Sequence, residues 1–163
     1  EPWKTQKRIR MLLEAWFRRD LMGIPGDEDG GGMSAFVVFS MMGFYPVTPG
    51  VPAYAIGSPV FSKVVIRLEN GKQFVVSAPK ASRANKYIQS ATLNGKPLSE
   101  PWFSHEVLTN GGTVTLELGD RPNKAWGSSP DLVSPWSGYA PRSAQGRGEA
   151  AGARLGGRAR SDQ

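Results

Sequence analysis

Cysteine is absent from the 163 residues, and histidine occurs once, at position 105. The lack of cysteine excludes a disulfide framework, a thiolate metal site and a cysteine nucleophile, but it does not fix the compartment. Long apolar runs are missing too: the longest, Ala35 to Phe39, falls far short of the ~20 residues that a bilayer-spanning helix needs, so no membrane association is expected. There is no initiating Met and no charged and apolar leader, and Glu1 opens in what reads as mid-helix context. The chain is therefore expected to be the C-terminal piece of something longer, with any targeting signal upstream. With 39% apolar and 21% charged residues it holds core for one compact domain, not for a large enzyme fold with an accessory domain.

A net charge of +6 raises the question of nucleic acid, and the answer depends on where the charge sits. Residues 135–163 carry five Arg against Glu149 and Asp162, while the other 134 residues hold 15 basic and 12 acidic groups. Half the excess thus belongs to a Gly/Ala/Arg-rich tail whose one Leu after Tyr139 cannot offset the entropy of ordering. That tail is expected to be disordered. It is not expected to bind nucleic acid, because aromatics that would stack bases are absent beyond Tyr139.

The ordered part changes texture along its length. In TQKRIRMLLEAWFRR, Ile9, Leu12, Leu13, Trp16 and Phe17 recur at helical spacing with charged residues opposite, which predicts an amphipathic helix over 5–20 with its apolar stripe in the core. Gly23, Pro25 and Gly26 close it. After DEDGGG comes MSAFVVFSMMGF, apolar nearly all round; Val37 and Val38 favour a strand, whereas its length and terminal Gly43 favour a buried helix over 33–43, and periodicity does not separate the two. A connector with Pro46, Pro49, Gly50 and Pro52 follows. Then FSKVVIRLE, KQFVVSA, KYIQSATL and TVTLEL predict an antiparallel β unit over 60–119. Asn-Gly pairs at 70, 94 and 110 predict hairpins, most firmly at Glu69 to Lys72.

Convergent polar groups occur in one stretch, Asp27-Glu28-Asp29, between a glycine-rich turn and three further glycines. In extended backbone Asp27 and Asp29 share one side and Glu28 faces the other, so the pair presents two carboxylates to a ligand, a cation or a catalytic proton. The competing reading is an exposed acidic turn that caps the following helix, where negative charge is favourable. Other readings fail. An EF-hand loop would need ligands at Gly31 and Val38. The G-x-G-x-x-A pattern at Gly30 to Ala35 has no strand leading into it and has acids where a pyrophosphate would sit. His105, with Ser104 and Glu106 on the opposite face of a strand, cannot form a triad with them and is expected to be structural.

The residues GIPGDEDGGGMSAFVVFSMMGFYPVTPG, with PWKTQKRIR before them and YAIGSPVFSKVVIRLENGKQF and YIQSATLNGKPLSEPWFSH after, closely resemble the C-terminal end of glycoside hydrolase family 92, the calcium-dependent exo-acting α-mannosidases. The resemblance runs from about Pro2 to about Pro130. It implies an α+β fragment: residues 1–48 as the last helices and acidic loop of an (α/α)6 toroid, 49–134 as an antiparallel β-sandwich-like segment, and 135–163 as the disordered tail.

The resemblance also implies hydrolysis of terminal α-mannosides of N-glycans or mannans with inversion, in which one carboxylic acid protonates the leaving oxygen and one carboxylate activates water. The base falls on Asp29, with Asp27 as the alternative or supporting carboxylate. The general acid, most calcium ligands and the sugar-stacking residues lie upstream, so the N-terminal remainder of the enzyme is the implied partner and the fragment alone is expected to be inactive. A secreted or periplasmic location is implied. Where the family usually reads Gln-Met-Ser-Ala-Trp-Tyr, this chain has Gly32-Met33-Ser34-Ala35-Phe36-Val37, which removes an amide and an indole N–H. A non-catalytic carbohydrate-binding or assembly module is the alternative, with Tyr87, Trp102 and Phe103 as its sugar platform; those rings are instead expected to fill a sheet core.

Overall fold

In a computed structural model that describes residues 1–137, two helices joined by the acidic loop lead into two β-sheets. Helix α1 spans Pro2–Ala15, with Pro at its start, where a missing N–H costs nothing. It ends earlier than its periodicity predicts. The cause is local: Asp20 Oδ1 accepts from Met22 N, Arg18 N donates to Gly23 O and Gly23 N donates to Asp20 O, a turn that competes with further helix.

The apolar stripe of α1 is not its buried face, which corrects the sequence reading. Its two buried residues are Gln6, 1% exposed, and Arg10, 4% exposed, whereas Trp16 is 59% exposed and Ile9, Leu12 and Leu13 are half-buried. Gln6 Oε1 accepts from Ile88 N at 3.1 Å, and the Arg10 guanidinium donates to Pro59 O and Ser82 O, both at 2.7 Å. Burial pushes the Arg10 pKa down, opposed by the charge of Glu14. Connections of the β part thus offer two carbonyl acceptors to the helix and a strand offers one N–H donor, and the polar face answers them.

Helix α2 spans Gly32–Met42 and ends on Gly43 in the left-handed region, whose N–H bonds Phe39 O and Ser40 O. The helical reading of this all-apolar stretch therefore holds. The chain continues as strand β1 (Phe44–Tyr45), which pairs antiparallel with β2 (Ala53–Ile56), itself paired with β7 (Trp102–Ser104). This three-stranded sheet is not evident from the sequence. Its strands are short, and the Pro-rich connector hides the start of β2.

The second sheet contains β3 (Lys63–Arg67), β4 (Gln73–Ser77), β5 (Tyr87–Leu93), β6 (Lys96–Pro97) and β8 (Gly112–Gly119) in the order β3-β4-β8-β5-β6. It is not wholly antiparallel, as was expected: β4 and β8 run parallel, with Val76 opposite Val114. A parallel pair needs a long crossover. Here the chain runs through β5, β6, β7 and helix α3 (His105–Thr109). The third Asn-Gly therefore ends a helix instead of turning a hairpin: Gly111, at φ 75°, donates to Leu108 O, and a Cβ there would stand 2.9 Å from Gln73 O. The other two pairs do turn hairpins. At 70 only Gly71 is left-handed, in a loop closed by Leu68 N to Lys72 O. At 94 both Asn94 and Gly95 are left-handed, as a two-residue turn requires.

The core is continuous and lies in the β part. Phe74 and Val76 of β4 and Val114, Leu116 and Leu118 of β8 alternate inward, and with Ile88 and Ala91 of β5, which a register shift between Ile88 and Ser90 brings to the same side, they meet Phe44, Ile56, Phe103 and Trp126. Phe44 is the hinge of this cluster, with Phe39, Tyr54, Phe74 and Phe103 ring centroids 5.4–5.9 Å away in edge contacts. Of the tail assigned to 135–163, residues 138–163 lie outside the described residues; Trp136 stands edge-on to Trp102 at 6.2 Å. No helix among the described residues is long and apolar enough to cross a membrane.

Candidate active-site loop

The loop between α1 and α2 carries all three acids. Asp27 and Asp29 are exposed and Glu28 is half-buried. The backbone is not extended here, so simple alternation does not place the two aspartates: Asp29 has φ 57°, followed by Gly30 at 64° and Gly31 at 99°. Three successive left-handed residues are rare, and glycine makes the last two possible. Asp29 has no such freedom and is held by its surroundings.

Those surroundings are the amino end of α2, whose first N–H groups lack helical partners. Gly32 N donates to Asp29 O at 3.2 Å, Met33 N to Glu28 O at 3.1 Å and Ser34 N to Glu28 Oε1 at 2.9 Å. Ala35 N then begins the regular ladder, donating to Gly31 O. The capping reading of this stretch is seen at Glu28. Glu28 caps the helix, and its flanking aspartates remain free for chemistry. The signal in the sequence was Gly31 at the cap position, a residue with no side chain to accept an orphan N–H, so an acceptor had to come from elsewhere.

Among the described residues no group of three or more His, Asp or Glu converges in a way that could hold a metal ion. Two clefts of about 540 and 620 Å³ lie elsewhere, the first lined by Val51, Leu98, Trp102 and Pro135 among others, the second by Trp3, Lys7, Met11 and Trp16; neither includes Asp27, Glu28 or Asp29.

The remaining candidates resolve simply. Tyr87 and Phe103 are buried and Trp102 is half-buried against Trp136 at 78°, so the sugar platform of two coplanar exposed rings is not formed. His105 opens helix α3 instead of lying within a strand, with Nδ1 hydrogen-bonded to the Tyr54 hydroxyl at 2.8 Å. Burial raises the Tyr54 pKa.

The glycosyl hydrolase family 92 catalytic domain matches residues 1–120. A protein of Arthroderma benhamiae described as an uncharacterized secreted glycosidase is 38% identical over 137 residues, covering 82% of this chain and 18% of that protein. The solved structure of an inverting mannosidase of family GH92 from Bacteroides thetaiotaomicron shares 45% identity with a TM-score of 0.75, covering 80% of this chain and 18% of that one. A family GH92 α-mannosidase from the same organism, in complex with mannoimidazole, shares 32% identity with a TM-score of 0.75, covering 79% and 17%. The chain spans under a fifth of the length of these relatives. Its α+β architecture is that of a C-terminal region of such proteins, and with the family's catalytic domain matched over residues 1–120, the chain belongs to glycosyl hydrolase family 92.

Proposed function

We propose that this chain is the C-terminal part of the catalytic unit of an α-mannosidase that removes terminal α-mannosyl residues, of N-glycan or mannan type, with inversion. In this reading α1 and α2 are the last helices of an (α/α)6 toroid, and the sheets form the β segment that closes it. Asp29 is the general base: its carboxylate accepts a proton from the water that attacks the anomeric carbon, while an acid supplied upstream protonates the leaving oxygen on the opposite face. Asp27 supports it by orienting that water. The observation that carries the reading is the loop itself, two exposed aspartates flanking the helix-capping Glu28, in a chain that matches the family's catalytic domain.

An inverting site needs its two carboxyl groups ~6.5–9.5 Å apart across the sugar. The acidic loop lines neither of the larger clefts of this chain, so the opposing wall is assigned to the upstream part of the enzyme. Calcium dependence belongs to the same proposal, with most of its ligands upstream, as the family resemblance implies. A secreted location is proposed from the relative described as secreted.

The test is a hybrid in which residues 1–137 replace the matching segment of the 45%-identical Bacteroides mannosidase. Asp29→Asn should lower kcat by about 10²–10⁴ with KM little changed, since the amide keeps the shape and loses the proton acceptor. Asp27→Asn should cost less. The 163-residue chain alone, with calcium, should release no mannose from a terminal α-mannoside. An Asp29→Asn hybrid with full kcat would move the base elsewhere.

A further inference from the structure

We propose that Glu28 is a positioning residue for Asp29: seated on the amino end of α2, its carboxylate holds the left-handed turn that presents the aspartate. The proposal rests on the reading of Asp29 as general base and adds a residue to it. Four observations converge. Glu28 is half-buried while both neighbours are exposed, so it is turned inward where they are not. Its Oε1 accepts from Ser34 N, and its second oxygen is also shielded from solvent, with no partner among the described residues. Gly31 at the cap position has no side chain to offer, so Glu28 supplies the side-chain acceptor of that helix end. Finally, the run of left-handed residues begins at Asp29, which has a Cβ and adopts that conformation at some cost in energy.

The mechanics follow from these bonds. The carbonyls of Glu28 and Asp29 also accept from Met33 and Gly32, so both peptide units are tied to the first turn of α2. The Glu28 side chain completes that clamp, and its negative charge lies where the helix dipole favours it. Releasing it frees the backbone that aims Asp29, and a displacement of ~1 Å at a catalytic group costs ~10²-fold in rate.

What the clamp requires is an acceptor oxygen, which separates two variants. In the 163-residue chain, Glu28→Ala should speed amide exchange at Ser34 and also at Gly32 and Met33 by about tenfold or more, while Glu28→Gln, which keeps an oxygen, should stay within about threefold of the parent. In the hybrid enzyme Glu28→Ala should lower kcat by about 10- to 100-fold with KM nearly constant, and Glu28→Gln should recover most of it. Faster exchange confined to Ser34, or a Glu28→Ala hybrid with parental kcat, would overturn the proposal. So would a Glu28→Gln hybrid as slow as Glu28→Ala, which would give Glu28 a proton-transfer role of its own. An Asp29→Asn hybrid with full kcat would instead sink the base reading, and the exchange result on the chain alone tells the two failures apart.

Discussion

The helical part, residues 1–43, and the β part, residues 44–137, satisfy their apolar surface in opposite ways. The β part closes on itself: every residue of the buried cluster lies at or after Phe44, and β4 and β8 contribute to it by strict alternation. The helical part adds only Phe39 and Met42 to the rim of that cluster. Its two helices bury three side chains, Gln6, Arg10 and Ser40, all polar, while Val38, Met11 and Trp16 are more than half exposed. The β part is therefore a scaffold with its own core, on which α1 hangs by the hydrogen bonds of Gln6 and Arg10 and α2 by the rings of Phe36 and Phe39. That difference suits the proposal that the acidic loop belongs to a larger site: the loop is fixed at one end by a capped helix, and the apolar faces beside it include exposed Val38, Met11 and Trp16.

The contrast is open to direct attack, most severely at the residue that joins the two parts. Phe44→Ala should destabilise the chain by about 3–5 kcal/mol, because it empties the centre of a ring of four aromatic neighbours, and chemical denaturation would show it as a lowered midpoint. Retention of the parental midpoint would mean that the two parts are not joined through this residue. Next comes Arg10→Ala, which leaves the carbonyls of Pro59 and Ser82 unpaired and should cost about 1–3 kcal/mol. The informative readout is its distribution. Amide exchange should accelerate in α1 while Val76 and Leu116, in the centre of the larger sheet, keep most of their protection. Uniform acceleration would show one cooperative unit instead of a scaffold with attached helices. Gln6→Ala removes one buried acceptor from Ile88 N and should cost about 1 kcal/mol, again read in α1 first.

How much of this was legible in the sequence depends on whether the signal was local. The hairpin at Asn94-Gly95, the strands with Phe74 and Val76 or Val114 and Leu116 alternating, and the closure of α2 on Gly43 are set by residues within a few positions of one another. The parallel pairing of β4 with β8 is not, since it follows from where α3 returns the chain, and the same Asn-Gly dipeptide serves a hairpin or a helix end with equal ease. The face of α1 was misread because its apolar stripe competes with Gln6 and Arg10 for the sheet, and the groups that decide the matter, the carbonyls of Pro59 and Ser82 and the N–H of Ile88, are 49 to 82 residues away. In the acidic loop the residues were legible and their division of labour was not. Extended alternation predicts where Glu28 points only in extended backbone, and the left-handed turn at Asp29 is set by a helix start that the three glycines left unmarked.

The smallest effect is expected at the surface of the β part, where Lys80 Nζ stands 3.0 Å from Glu117 Oε2 with both side chains substantially solvated. If the β part owes its stability to its alternating core, this pair should matter little: exposed ion pairs gain only about 0–1 kcal/mol, because water already solvates both charges and two long side chains must be held in place. Lys80→Ala should therefore shift the denaturation midpoint by no more than about 0.5 kcal/mol in stability, and salt should shrink even that difference, since exposed charges are screened over about 10 Å at 0.1 M. The control is the helical side, where Arg83 Nε meets Glu14 Oε2 at 3.0 Å and links α1 to the turn after β4. Arg83→Ala should be equally small in global stability, but it should speed exchange in α1, which Lys80→Ala should leave untouched. Equal silence of both variants in α1 would mean that Gln6 and Arg10 alone hold the helix to the scaffold.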